Sequence, residues 1–287
     1  MRDAAYGILQ DVWCRWLRWQ LARELASVER FCLFVGYPRS GHSLVGALLN
    51  AHRDAVISHE LDAPPLILAG CSRDELYARI IARARWFHLR GDRSNYAYRA
   101  REQWQGRFAR LRVVGDKRAG SVTRSIAAHP DFLERVRDLV GVPLRLIHVV
   151  RNPYDNIAAI EIWHGLSLAE SVRYYFMHCD TTARLDTLCR PDELLSLRHE
   201  EMLQDPAATL ARLCAFLGLE HDPQYLDDCR SIVFPRTTYT RRKAAWTPAL
   251  LDEVQQRLAS YPHLAGYAFD EVDDGDGGGG SMRTKLG

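Results

Sequence analysis

Residues Phe31 to Leu49 read FCLFVGYPRSGHSLVGALL. The first six residues form a short run rich in β-formers, and a turn signal follows at Tyr37-Pro38. An apolar helical pattern then begins at Leu44. The predicted order is a strand, a glycine-containing turn and the start of a helix. In this arrangement backbone N–H groups and the positive end of the helix dipole point at one place, where a phosphate can bind. The segment therefore predicts a phosphate-binding loop, with an ordinary strand-to-helix turn as the alternative.

The loop is not a Walker A motif. That motif reads GxxxxGK[ST], and His42 stands here where the lysine belongs. The interpretation as a kinase or ATPase acting on nucleoside triphosphates thereby loses its main support.

Three more strand candidates follow along the chain, and helical patterns separate them. The strands are predicted at 112–115, 144–150 and 193–197, and the helices at 72–90, 120–139, 153–188, 206–217 and 248–260. The run LRLIHVV at 144–150 is continuous enough for a strand buried on both faces. Strands that alternate with helices indicate an α/β fold, with a central parallel sheet of four or five strands flanked by helices.

Composition limits the partners and the chemistry. The 38 Lys and Arg residues nearly balance 36 Asp and Glu residues, so the net charge of +2 gives no whole-molecule field for nucleic acid. The seven cysteines are scattered and lack CxxC spacing, which indicates reduced thiols and no structural zinc. The charged N-terminus has no apolar run of seven residues, so we expect a cytoplasmic protein without stable membrane insertion.

The chain divides into three parts. Residues 1–30 are expected to form an N-terminal helix, because large apolar side chains recur there at helical spacing. We favour a helix packed on the domain over one lying on a membrane surface, since its polar side is mixed in charge. Residues 31–270 form the main domain. The tail at 271–287 is rich in Gly and Asp and should be disordered, and its GGGGS run also resembles an engineered linker.

A second motif, LIHVVRNPYDNIAAI at residues 146–160, places an arginine at the end of a buried strand. Arg151 follows the strand, and Asn152-Pro153 opens a helix. Parallel sheets bind ligands at the carboxyl ends of their strands, and the planar fork of an arginine suits a phosphate. The alternative is a salt bridge from Arg151 to Asp155.

Together these motifs resemble those of sulfotransferases that use 3′-phosphoadenosine 5′-phosphosulfate (PAPS). YPRSGHS looks like the family's 5′-phosphosulfate loop, and the Arg151 motif looks like its 3′-phosphate motif. Two later stretches, ELLSLRHEEMLQDPAATLARLCAFLGLE and TRRKAAWTPALLDEV, are similar to the strand-and-helix unit and the C-terminal basic segment of that family. Four ordered matches across about residues 31–260 are hard to obtain by chance. The resemblance implies the P-loop-like sulfotransferase fold.

The resemblance also implies a donor site, one that needs no metal. Its binding residues would be Pro38, Arg39, Ser40, Gly41, His42 and Ser43 in the loop, Arg151 at the 3′-phosphate, and Arg242 and Lys243 in the basic segment. One position departs from the family pattern, because Ala159 stands where a serine normally contacts the 3′-phosphate. Arg242 and Lys243 could supply the lost hydrogen-bond donors.

Three residues are candidates for catalysis. The loop is most similar to that of tyrosylprotein sulfotransferases, whose glutamate base falls on Glu60, whose loop arginine falls on Arg39, and in which a further basic residue falls on Lys117. Sulfuryl transfer requires these residue types, because cations must stabilise charge on the leaving phosphate and the acceptor must lose a proton to a base. His59 is the rival base, since the cytosolic branch uses a histidine, and we place Glu60 ahead of it.

The sequence thus predicts a sulfotransferase that moves a sulfuryl group from PAPS to an acceptor hydroxyl or amine. The acceptor would be a small molecule, a glycan or a peptide. A nucleotide-dependent kinase and a non-catalytic nucleotide-binding module are the alternatives. The aromatic and basic stretch from Trp86 to Trp104 either lines the acceptor pocket or forms a helical core face.

Overall fold

A central parallel sheet of five strands organises the protein, as described by a computed structural model over residues 12–90, 98–234 and 238–270. The strands are β1 Arg30–Val35, β2 Ala55–Ser58, β3 Val113–Asp116, β4 Leu144–Val150 and β5 Leu194–Arg198. They lie in the order β2-β3-β1-β4-β5, and every neighbouring pair is parallel. The predicted α/β class with a central parallel sheet is confirmed. The tail predicted at 271–287 lies outside the described residues.

Helices pack on both faces of this sheet. The described part of α1 spans residues 12–20. The other helices are α2 Ala22–Ala26, α3 His42–Asn50, α4 Ala63–Leu68, α5 Arg73–Arg90, α6 Ala119–Ala128, α7 Phe132–Val140, α8 Pro153–His164, α9 Leu168–Thr182, α10 Leu185–Leu188, α11 His199–Gln204, α12 Pro206–Phe216, α13 Pro223–Ser231 and α14 Pro248–Leu258. Two short 3₁₀ helices lie at Thr240–Lys243 and Pro262–Leu264.

The sequence pattern does not predict β2, and it joins helices that are separate. β2 is four residues long and carries no strand signal that the sequence pattern picks out. The helix predicted at 120–139 is two helices, α6 and α7. The helix predicted at 153–188 is three helices, α8, α9 and α10. The first break arises because Gly165 ends α8 at a φ of 66° and Ser167 starts α9 with a capping box to Glu170.

β1 separates two hydrophobic layers. Phe31, Leu33 and Val35 belong to one layer, and Cys32 and Phe34 belong to the other. All five side chains are buried. Because both faces of the strand are covered, its sequence is a continuous apolar run without the alternation of a half-exposed strand.

The described N-terminal residues pack on the first of these layers. Leu17, Leu21 and Leu25 are buried there. Trp16 and Trp19, in contrast, are 48% and 80% exposed. No helix within the described ranges is long and apolar enough to cross a membrane.

Candidate active site

The loop after β1 has the backbone of a tight anion-binding turn. Gly36, Arg39 and Gly41 have φ values of 117°, 71° and 100°, in the left-handed region that glycine favours. The N–H of Gly36 donates to Thr123 Oγ1 at 2.8 Å, and the Thr123 hydroxyl lies 3.0 Å from the Gly36 carbonyl. Thr123 of α6 therefore fixes the start of the loop and has no free role in binding phosphate.

Ser40 and His42 brace the loop from within. Ser40 Oγ lies 3.0 Å from His42 Nδ1, and His42 Nε2 donates to the Val35 carbonyl at 3.1 Å. Burial, together with the nearby charge of Lys117, lowers the pKa of His42 to about 3. The ring is therefore neutral and works as a structural hydrogen-bonding group.

Lys117 connects the loop to Glu60. Its Nζ donates to Ser43 Oγ at 2.7 Å and to Glu60 Oε1 at 2.8 Å. Lys117 is 4% exposed, and the Glu60 side chain is 46% exposed. Burial lowers the pKa of Lys117, and the Glu60 carboxylate opposes that shift. Burial acts to raise the pKa of Glu60, but the charge and hydrogen bond of Lys117 outweigh it, so the pKa lies below its ordinary value and Glu60 is ionised at neutral pH.

Asp116 holds the segment that carries Glu60. Its buried carboxylate accepts a hydrogen bond from Ser58 Oγ at 2.7 Å and from three backbone N–H groups of residues 61–63 at 2.9 to 3.1 Å. Glu60 has a φ of 58°, a left-handed conformation that is strained for a residue with a side chain. Four hydrogen bonds to one carboxylate keep this turn in place, so β2 and β3 present Glu60 and Lys117 together.

Arg151 approaches the loop from the end of β4. Its Nη1 donates to the Arg39 carbonyl at 3.3 Å, and its Nη2 donates to the Thr238 carbonyl at 2.9 Å and to Thr240 Oγ1 at 3.2 Å. The guanidinium thus lies between the loop and the segment that leads into the first 3₁₀ helix. Arg151 also lines the cavity described below.

Asp155, the alternative partner predicted for Arg151, forms its salt bridge with Arg241. Its carboxylate accepts the backbone N–H of Arg241 at 2.8 Å and pairs with Arg241 Nη1 at 2.5 Å, with both side chains buried. Arg242 and Lys243 are exposed and do not line the cavity described next. The basic segment is therefore fastened to α8 by Arg241, a residue that the sequence analysis did not single out.

One cavity of about 640 Å³ joins these residues. Its charged lining residues are Arg39, Lys117, Arg118, Arg124, Arg151 and Glu60. Five cations and one carboxylate give a local positive field that suits a polyanion, although the whole chain is nearly neutral. In the described parts of the chain, no group of three His, Cys, Asp or Glu residues is arranged to hold a metal.

A comparison with protein-family models identifies the family of this chain. The model of the sulfotransferase family matches residues 33–223, which is more than half of the chain. The chain belongs to the sulfotransferase family.

Several solved sulfotransferase structures are similar to this chain at low sequence identity. Sulfotransferase STF9 from Mycobacterium avium is 14% identical with a TM-score of 0.50, over 87% of this chain and 81% of that one. The sulfotransferase domain of the Synechococcus PCC 7002 olefin synthase is 18% identical with a TM-score of 0.49, over 82% and 96%. The sulfotransferase from Alicyclobacillus acidocaldarius is 19% identical with a TM-score of 0.45, over 80% and 91%. Comparison with curated protein sequences finds no match.

His199 is a cavity residue of this sulfotransferase that the sequence analysis missed. It follows β5 and lines the cavity, and its Nδ1 is buried without a hydrogen-bond partner among the described residues. A Cβ atom on Gly41 would lie 2.3 Å from that nitrogen, so the loop needs glycine there. Ala159 is buried and does not line the cavity. The signal for His199 was its place directly after a strand, in the stretch LRHEEM.

His59 lies in a second, smaller cavity of the sulfotransferase. Its ring stacks on Phe87 with 3.9 Å between centroids. The two residues line a space of about 30 Å³ together with His88 and Tyr98. Lys117 and Tyr98 line both cavities, so the smaller one adjoins the Lys117 end of the larger. Part of the aromatic stretch, residues 91–97, lies outside the described residues.

Acid should destabilise this sulfotransferase through its buried imidazoles. His42 and His148 are 6% and 2% exposed. Burial lowers the pKa of His42 to about 3 and that of His148 well below its ordinary 6.5. Both rings stay neutral in the folded protein, whereas the unfolded chain takes up protons below about pH 6.5, so stability is lost as the pH falls from there towards 4. The neutral His42 ring should cost on the order of 2 kcal/mol of unfolding free energy at pH 5, and His148 should add to this loss.

Urea unfolding at pH 7.5 and pH 5.0 measures this loss. His148→Phe should lose less unfolding free energy between the two pH values than the parent protein does. His129→Phe, at an exposed position, is the matched control and should follow the parent. Equal acid losses in all three proteins would contradict the assignment to buried imidazoles.

Proposed function

We propose that this sulfotransferase transfers the sulfuryl group of PAPS to a hydroxyl or amine of a small molecule, glycan or peptide. The observation that carries the proposal is the position of Lys117. One buried ammonium donates to Ser43 of the phosphate loop and to the carboxylate of Glu60, within one cation-rich cavity. A cation at that place adjoins both the leaving phosphate and the base, which sulfuryl transfer requires.

The donor side of the cavity fits a nucleotide with two anionic groups. The loop from Pro38 to Ser43, which includes Arg39, would hold the 5′-phosphosulfate. Arg151 would hold the 3′-phosphate with its planar guanidinium. His199 also lines this cavity, and its buried Nδ1 has no hydrogen-bond partner among the described residues. Thr238 and Thr240 place their hydroxyls beside Arg151, and we propose that they supply the hydrogen bonds that Ala159 cannot.

The reaction breaks the bond between sulfur and the bridging phosphate oxygen and forms a bond from sulfur to the acceptor. Lys117 and Arg39 stabilise the negative charge that grows on the departing phosphate. Glu60 accepts the acceptor's proton, since it is ionised and half-exposed at the mouth of the site. Its contact with Lys117 keeps the base and the leaving-group cation in a fixed relation.

Calorimetry with adenosine 3′,5′-bisphosphate and ATP separates this function from its alternatives. A sulfotransferase donor site should bind the bisphosphate at least about tenfold more tightly than ATP, because ATP lacks the 3′-phosphate that Arg151 would hold. A kinase would show the reverse order. A non-catalytic module would bind the bisphosphate and then fail to turn over PAPS with any acceptor in a panel of phenols, sugars and amines.

Arg151→Ala should weaken binding of adenosine 3′,5′-bisphosphate by roughly 2 to 4 kcal/mol, the range for losing one partner of a buried charge contact. Arg151→Lys should recover only part of this, because an ammonium replaces a fork. Arg242→Ala is the control within the basic segment, and its effect should be much smaller because Arg242 is exposed. If Arg242→Ala lost much of its bisphosphate affinity and Arg151→Ala lost none, the 3′-phosphate would be assigned to the basic segment instead.

A further inference from the structure

One cation of the cavity has no role in the proposed donor site. Arg118 lies 3.6 Å from the carboxylate of Asp62, which offsets its charge. Arg124 lines the same cavity, and no carboxylate of the described residues lies within ion-pair distance of it. Its hydrogen bond goes to a neutral group, since Nη1 donates to Tyr174 Oη at 3.3 Å. The cavity therefore holds one positive charge that neither the protein nor the donor offsets.

Arg124 folds back along α6 to the first turn of that helix. A Cβ atom on Gly120 would lie 3.5 Å from Arg124 Nη1 and 3.2 Å from Pro38 Cγ. The guanidinium is thus beside the start of α6 and close to the phosphate loop. α6 begins two residues after Lys117, and Lys117, Gly120 and Arg124 all line the same cavity.

The first turn of α6 adds hydrogen-bond donors at the same place. Ser121 is 8% exposed and lines the cavity, and its hydroxyl has no hydrogen-bond partner in the described ranges. The helix start has no side-chain cap, and no described group accepts from the Gly120 N–H. An unpaired hydroxyl and an unpaired N–H beside a guanidinium form a small anion subsite at the positive end of a helix dipole.

We propose that Arg124, Ser121 and the Gly120 N–H bind a carboxylate of the acceptor. This inference rests on the proposed function, because it places the acceptor next to Lys117 and Glu60. A carboxylate fits better than a dianion, since it matches the single unpaired charge of Arg124. Its two oxygens can accept from the guanidinium fork and from the helix start together. The sulfotransferase should therefore prefer an acidic acceptor whose hydroxyl lies apart from its carboxylate.

Paired probes that differ only in charge test this preference. The pairs are 4-hydroxyphenylacetate with 4-hydroxyphenylacetamide, and glucuronate with glucuronamide. Their affinities for the full chain are measured by calorimetry with and without saturating adenosine 3′,5′-bisphosphate. At least one acid should bind about tenfold or more tightly than its amide, the scale of a charge-assisted hydrogen bond. Arg124→Gln should abolish that difference, and Ser121→Ala should reduce it.

Arg212→Gln is the control, because Arg212 is an exposed arginine on α12, outside the cavity, that pairs with Glu201. It should keep the preference for the acid. Acids that bind no better than amides, or a preference that survives in Arg124→Gln, would overturn the subsite. Failure of the protein to bind the bisphosphate would instead refute the proposed function, and the comparison without bisphosphate still decides the subsite.

Discussion

Replacing Glu60 by glutamine should lower kcat for sulfuryl transfer by roughly 10²- to 10⁴-fold, the range for loss of a general base. The substitution keeps the size of the side chain and a carbonyl oxygen that can still accept from Lys117, but it removes the basicity. Affinity for adenosine 3′,5′-bisphosphate should stay nearly unchanged, because Glu60 makes no contact with the proposed phosphate sites. Steady-state rates with a saturating acceptor, together with calorimetry, measure both quantities.

Two comparisons make the Glu60 prediction specific. Glu201→Gln removes an exposed carboxylate outside the cavity and should leave kcat near that of the parent. His59→Ala should leave much more activity than Glu60→Gln, since the His59 ring stacks on Phe87 in the smaller cavity. An active Glu60→Gln protein beside an inactive His59→Ala protein would give the base to His59.

The pH dependence of kcat separates the same two bases. The pKa of Glu60 lies below its ordinary 4.5, so Glu60 keeps its charge as the pH falls from 8 to 5.5. A glutamate base therefore predicts no acidic limb in that interval. A histidine base with an ordinary pKa of about 6.5 would produce one there.

Lys117→Ala should reduce kcat by about 10²- to 10³-fold, the scale for removing one donor to a developing oxyanion. The loss should exceed the change in bisphosphate affinity, because the phosphate gains its extra charge only as the sulfur–oxygen bond breaks. Thermal melting of the variant checks that the protein remains folded without the buried ammonium. A variant with normal kcat and a weakened donor affinity would make Lys117 a binding residue.

Gly46→Ala tests the position of the same ammonium while it keeps the charge. A Cβ atom on Gly46 would lie 3.1 to 3.2 Å from Cγ and Cβ of Lys117, so the lysine stem must shift by tenths of an ångström. We expect a loss in kcat smaller than that of Lys117→Ala. Full activity in Gly46→Ala would show that the position of the ammonium is not critical.

The sequence was sufficient for the parts of the site that follow strong strands. The phosphate loop and Arg151 each come directly after a buried apolar run, β1 and β4, and the carboxyl ends of such strands are known ligand positions. The family pattern placed Glu60 and Lys117, and the structure brings their side chains together at 2.8 Å. β2, which ends two residues before Glu60, was not predicted from the sequence pattern.

Other features of the site depend on tertiary packing, which the sequence pattern does not show. The segment TRRK contains three consecutive basic residues. Arg241 is the one that is buried, because it pairs with the buried carboxylate of Asp155. The break between α8 and α9 was visible as Gly165 and the capping box of Ser167, but the apolar pattern continued through it. His199 enters the site because Gly41 leaves room for its ring, which is a contact between distant parts of the chain.

The hydrogen bonds to Asp116 bear on how this protein can evolve new acceptors. They tie residues 58–63 to β3, while the groups proposed to bind the donor, namely the loop, Arg151 and His199, directly follow β1, β4 and β5. Under the proposed function, substitutions around the outer strand can therefore accumulate and change acceptor choice while the groups proposed to bind the donor are inherited unchanged. Asp116 is the exception, because a lineage that lost this carboxylate would lose the placement of the proposed base in a single mutational step.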